Sequence, residues 1–148
     1  MSETDDRELI DLTAPADGGA TVEVRTAATA ALIPTIRAVA SDLAARADFD
    51  LDAISDLRMA VDEACATLVD VAAPGSPLRC RFRVDEDRIQ VTAEVRASSA
   101  EITVATDTFG WRVLQTLTTD VAVHRIAGGD GHPVLGIVLA KNAGVTER

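Results

Sequence analysis

Between Leu51 and Val71 the apolar residues Leu51, Ile54, Leu57, Val61, Ala64, Leu68 and Val71 return every third or fourth position. After Pro74, Gly75 and Pro77 the spacing changes to two. The first repeat lines up side chains on one stripe of a helix, and the second puts alternate side chains on one face of a strand. A chain that switches in this way must pack an amphipathic helix and a β-hairpin around one core. Asp50 stands where the N-cap of that helix belongs. At about 100° per residue, Asp52, Asp56, Met59, Glu63, Thr67 and Asp70 fall on the side opposite the stripe.

The hairpin strands are Leu78–Val84 and Arg88–Arg96, turning through Asp85–Asp87. Upstream, alternation predicts a strand over Thr21–Thr26. Leu32, Ile33, Ile36, Val39, Ala40 and Leu43 mark a helix within Thr29–Arg46. Its regular part starts near Pro34, a residue suited to a first turn. Downstream, Glu101–Ala105 reads as a short strand or extended loop, and Phe109–Leu117 as a third, short helix. Asp120–Ile126 and Pro133–Lys141 read as final strands joined by the AGGDGH turn. The order β-α-α-β-β-loop-α-β-β lacks strict βαβ alternation. The expected architecture is therefore an α+β two-layer sandwich with its helices on one face of the sheet. Residues 1–20, acidic and ending in Pro15, Gly18 and Gly19, are expected to form a disordered tail; residues 21–141 form the domain, and 142–148 a flexible C-terminal tail.

A length of 148 residues agrees with one domain. The hydrophobic fraction is 47% but the aromatic fraction only 3%, so Ala, Val, Leu and Ile must build the core, and platforms for stacking bases are lacking. Acidic residues outnumber basic ones 24 to 14, a net charge of −10. That surface repels phosphate backbones, which argues against direct nucleic-acid binding and for a protein partner with a basic face. No stretch approaches the roughly 18 consecutive apolar residues of a membrane span. The start, MSETDDRELID, is acidic where a secretory signal is basic and then apolar, so a cytoplasmic location is expected. Cys65 and Cys80 are then reduced; both lie in apolar runs and read as buried small hydrophobes, with a redox pair as the alternative. Two cysteines without a neighbouring histidine make no zinc site.

Most chemical candidates reduce to structure. His124 and His132 flank no nucleophile motif, so no triad is expected. Gly128, Gly129 and Gly131 precede a strand, whereas a phosphate cradle needs a helix N-terminus behind it. Asp5/Asp6 and Asp85/Glu86/Asp87 lack the spacing of a calcium loop. Glu63 and Thr67, four apart, project side by side from the polar face of the second helix, where spacing alone fits an ordinary solvated stripe.

The local sequence changes that weighting. DFDLDAISDLRMAVDEACATLV, residues 48–69, resembles the N-box helix of RsbW/SpoIIAB-type anti-sigma factors, serine-protein kinases on the Bergerat fold of the histidine-kinase and gyrase ATPases. The likeness rests on Leu57, Ala60, Val61, Glu63, Ala64 and Cys65, on Arg37 in the preceding helix, and on TFGWRVLQTLTTDVAV, residues 108–123, which resembles the late G-box. It spans about residues 22–140 and is nearest to the divergent actinobacterial-type branch. The resemblance implies a mixed, mostly antiparallel sheet, and Glu63 as candidate base toward a substrate serine. Thr67 stands where the family has a Mg²⁺-ligating asparagine; its hydroxyl is a neutral, single-oxygen substitute. The family's D-x-G-x-G segment is replaced by VRASSAEI, Thr108 replaces the first glycine of the late box, and only Gly110 survives there. The short lid lacks phosphate-binding Lys or Arg. Glu63, Thr67 and Gly110 thus outline an eroded ATP pocket in which ATP and Mg²⁺ are weak cofactors.

As to function, the resemblance implies an anti-sigma factor that sequesters a stress- or sporulation-type sigma factor of the sigma-B/sigma-F group. A STAS-type anti-anti-sigma partner would release it, Arg37 would contact partners, and the chain would form a homodimer. Two alternatives stand beside it: an active ATP-dependent serine kinase acting on the anti-anti-sigma factor, and a ligand-sensing module with a repurposed pocket.

Overall fold

The computed structural model describes residues 19–144; the acidic tail expected over 1–20 lies almost wholly outside them, as do the last four residues of the C-terminal tail. Strand β1 covers Ala20–Ala27, and a 3-10 turn at Ala30–Leu32 leads into helix α1, Ile33–Arg46. Pro34 sits in the first turn of α1, where its missing N–H costs nothing. Helix α2 is Leu51–Val71, and the Asp50 side chain accepts a hydrogen bond from Ala53 N at 2.8 Å as its N-cap. Strands β2 (Pro77–Val84) and β3 (Arg88–Arg96) form the expected hairpin, helix α3 covers Phe109–Leu117, and β4 (Asp120–Ile126) and β5 (Val134–Asn142) close the domain.

The sheet order is β1-β2-β3-β5-β4, and all four pairings are antiparallel, a narrower result than a mixed sheet. Alternation decides which face meets the helices. Leu78, Cys80 and Phe82 on β2, Ile89, Val91, Ala93 and Val95 on β3, and Leu135, Ile137 and Leu139 on β5 are buried. Against them lie Ile36, Ala40 and Ala44 of α1 and Leu57, Val61, Ala64 and Leu68 of α2. Phe82 is the largest wholly buried side chain, so branched aliphatics and alanine do supply most of this core. No helix among the described residues is long and apolar enough to cross a membrane.

One expectation needs correction. Leu51 is 83% exposed and does not belong to the core stripe, whose first buried member is Ala53. A helical side chain covers the turn N-terminal to its own Cα, and at the first helical position no turn is there to cover. Of the two readings offered for residues 101–105 the structure shows the loop: the guanidinium of Arg125 on β4 donates to the carbonyls of Ala100 and Ile102, so carbonyls that a strand would place in a ladder end on a side chain. Cys65 and Cys80 are both buried and free, linking α2 to β2 with their sulfurs 3.9 Å apart. The hydrogen bond between them, together with burial, pushes the Cys65 thiol far up.

Candidate functional site

The candidate residues of the second helix are not on an open face. Helix α3 packs across α2, leaving both Glu63 and Thr67 half-buried. Gly110, the second residue of α3, lies directly against the Glu63 side chain. A methyl group at position 110 would overlap Glu63 Oε2 and stand 3.2 Å from its Cδ. The carboxylate therefore occupies the space that the missing Cβ leaves, at the first turn of a helix that carries no acidic residue of its own there. Unpaired N–H groups and the helix dipole at that end favour a negative charge. Thr67 Oγ1 donates to the Glu63 carbonyl oxygen at 2.9 Å and stands 3.5 Å from Glu63 Oε2. Thr108, in the place of a family glycine, is the N-cap of α3 and accepts from Trp111 N at 3.1 Å. Phe109, beside it, is 77% exposed.

Glu63, Thr67 and Gly110 thus come together, and Arg37 does not join them. Arg37 projects from α1 and donates through Nη1 to Asp62 Oδ2 at 2.9 Å, an ion pair about one-third exposed on both sides. Asp62 is one residue from Glu63 and so about 100° around the helix. Its second oxygen, Oδ1, is buried without a hydrogen-bond partner among the described residues.

The donor set does not fit a magnesium nucleotide. The Thr67 hydroxyl gives its proton to the helix backbone, and the Glu63 carboxylate fills the gap over Gly110. Residues 97–107 carry Glu101 and Asp107 but no lysine or arginine to meet phosphates. Among the described residues no three His, Cys, Asp or Glu side chains gather to hold a metal ion.

A polar row on the helix-free face of the sheet escaped the sequence reading. His124 Nε2 lies 2.8 Å from Glu94 Oε2, and Arg79 Nη2 donates to Glu94 Oε1 at 2.9 Å. Between β4 and β3 lies Gly136 of β5, in register with both His124 and Glu94. The imidazole passes over the glycine, since a Cβ there would collide with the ring. Burial alone would raise the Glu94 carboxyl, but the hydrogen bonds and charges of Arg79 and His124 outweigh it and hold it below its ordinary value. The available signal was Gly136 itself, because a glycine inside a strand marks a close approach.

A five-stranded sheet under three helices, with a short helix closing on the α2 glutamate, defines a histidine kinase-like ATPase domain. The sequence matches that family over residues 26–135, and the chain belongs to it. It is similar to the anti-sigma-F factor RsbW of Mycobacterium tuberculosis, in both strain CDC 1551/Oshkosh and strain ATCC 25618/H37Rv, at 34% identity over 100 residues, 68% of this chain. The match spans 59% of the length of those relatives.

Proposed function

We propose that this chain is an anti-sigma factor that works by occlusion: it binds a stress- or sporulation-type sigma factor of the sigma-B/sigma-F group, and a STAS-type anti-anti-sigma protein releases it. The observation that carries the reading is the similarity to anti-sigma-F factor RsbW together with the closed Glu63–Gly110 contact. Phosphoryl transfer is mostly positioning plus charge neutralisation, and the groups that would position a nucleotide are missing here. What remains is a binding domain. The reading places it in the cytoplasm as a homodimer and gives Arg37 a partner carboxylate, which must share or displace Asp62. Affinity capture of the full chain from its own cell tests this. Recovery of a sigma factor with the chain is expected, and its absence would remove the proposal. Measured directly, Arg37→Glu should weaken sigma binding by about 2–5 kcal/mol, mostly through faster dissociation, well beyond the roughly 1 kcal/mol of stability lost by setting a glutamate against Asp62.

One observation favours a second reading, an active serine kinase: Glu63, the candidate base, is retained at the α2–α3 junction. Labelled-ATP transfer to a purified anti-anti-sigma protein separates the two readings. Turnover lost in Glu63→Ala but present in the parent chain would favour the kinase.

A further inference from the structure

Two thiols face each other in the middle of the core, and the proposed function makes no use of them. Cys65 on α2 and Cys80 on β2 are 1% and 0% exposed, so no reagent reaches either sulfur in the closed fold. The sulfurs lie 3.9 Å apart, and among the described residues neither has another hydrogen-bond partner. Cys65 stands among the buried Val61, Ala64 and Leu68 of α2, while Cys80 lies between Val24 of β1 and Ala93 of β3 in the sheet. A structural metal needs more donors than two thiols, and no third His, Cys, Asp or Glu gathers beside them among the described residues. What two sulfurs so placed can form is a bond to each other. A disulfide is about 2.05 Å long, so the sulfurs must close by roughly 1.9 Å, within the swing of two side chains about their Cα–Cβ bonds.

We propose that Cys65 and Cys80 are a latent disulfide site, at which hydrogen peroxide converts the thiol pair into a bond that staples α2 to β2 and outlasts the oxidant. One sulfur, as thiolate, attacks a peroxide oxygen; the O–O bond breaks, and the departing hydroxide takes up the displaced thiol proton and leaves as water. The second sulfur then attacks the sulfenic sulfur, the S–O bond breaks, and a second water carries off the second thiol proton. The protein loses two hydrogens and two electrons, and the peroxide is reduced to two waters. Burial sets the rate in both directions. The Cys65 thiol, pushed far up by its hydrogen bond to Cys80 and by burial, yields thiolate only when the core opens. The finished bond is equally out of reach of glutathione, so reduction also waits for opening. The site is therefore slow to set and slow to release, a record of sustained oxidation. The bond spans a separation of 15 residues, from the last two turns of α2 through residues 72–76 into β2. Cross-linking restricts the unfolded chain, while the folded pair is already in place, so the oxidised chain is the more stable one.

Peroxide treatment of the full chain, purified with both thiols reduced, tests this in native buffer and in dilute urea, which raises the open population. A monomer lighter by two hydrogens is expected, with the peptides of Cys65 and Cys80 joined on digestion, and it should form faster in dilute urea. Its melting temperature should stand about 10 °C above that of the reduced chain. Glutathione should restore the thiols at a rate that also climbs with urea. Cys80→Ala should show neither the mass loss nor the rise in melting temperature; if that variant does not fold, the parent's own mass and peptide map decide. Oxygen added to either sulfur, in place of the loss of two hydrogens, would overturn the proposal. So would a bond between two chains, an unchanged melting temperature after oxidation, rapid reduction by glutathione in native buffer, or no reaction even in dilute urea.

Discussion

Replacing Gly110 by alanine tests whether the Glu63 carboxylate fills the space beside it. The residue lies in the first turn of α3 at a helical, negative φ, so an added methyl is conformationally welcome. Taken alone, Gly→Ala in a helix gains about 0.5–1 kcal/mol. Against that, the new Cβ overlaps Glu63 Oε2 and stands 3.2 Å from Cδ, so the carboxylate must swing away. It is the far end of a flexible side chain, and its movement costs little in packing. The loss is electrostatic: a carboxylate leaving a helix N-terminus gives up about 0.3–1 kcal/mol. The two effects nearly cancel, and Gly110→Ala should leave stability within about 0.5 kcal/mol of the parent. In a Glu63→Ala background nothing opposes the methyl, and the same substitution should stabilise by the full 0.5–1 kcal/mol, or about 2–4 °C in melting temperature. The double-mutant cycle over four purified chains, read by urea and thermal unfolding, should give a coupling of about 0.3–1 kcal/mol. Zero coupling, with Gly110→Ala equally stabilising in both backgrounds, would show that the carboxylate is elsewhere and that the α2–α3 junction is open.

Three further outcomes follow from contacts described above. Asp50→Ala removes the side chain that accepts from Ala53 N and should cost about 1 kcal/mol, measured by denaturant unfolding. Glu94, held below its ordinary pKa in the folded chain, contributes stability that is present above the unfolded carboxyl value of about 4.3 and fades as pH falls through the lower folded value; the stability difference between the parent and Glu94→Gln should therefore shrink below about pH 4, and a difference independent of pH would refute the charge assignment. Cys65 and Cys80 are buried with the Cys65 thiol pushed far up, so alkylation of the native chain should proceed only as fast as the fold opens, and rapid labelling in native buffer would contradict their placement.

The features that were legible in the sequence are those written in local spacing. The apolar repeat along α2, Asp50 before it, Pro34 in the first turn of α1 and the switch to alternation after Pro77 all act within a few residues, and each appears where expected. Glu63 and Thr67 were visible for the same reason, being one helical turn apart. What was hidden depends on partners far along the chain. Arg37 meets Asp62 across a helix pair, 25 residues away, and Arg125 captures carbonyls 23 and 25 residues back, which removes the strand that alternation allowed at 101–105. The His124–Glu94 contact needs three strands in register with a glycine between them, and no periodicity reports which residue lies opposite which.

The same distinction bears on the reading proposed above, in which the nucleotide pocket of an ATPase fold is eroded. In a nucleotide-binding pocket the charges of phosphate and metal must be met by groups held apart from one another, at a cost that the bound ligand repays. In this chain Thr67 has turned back to its own helix, Thr108 caps α3, and Glu63 meets the N-terminus of that helix. Each group has found a partner inside the protein. A pocket whose polar groups satisfy one another is more stable empty, and a ligand must break those contacts before it gains any of its own. Gly110 permits this closure, since the Cβ of any larger residue would take the space that the Glu63 carboxylate fills. The glycine that the late-box resemblance assigns to an ATP pocket would, on the reading proposed above, make room for a carboxylate instead.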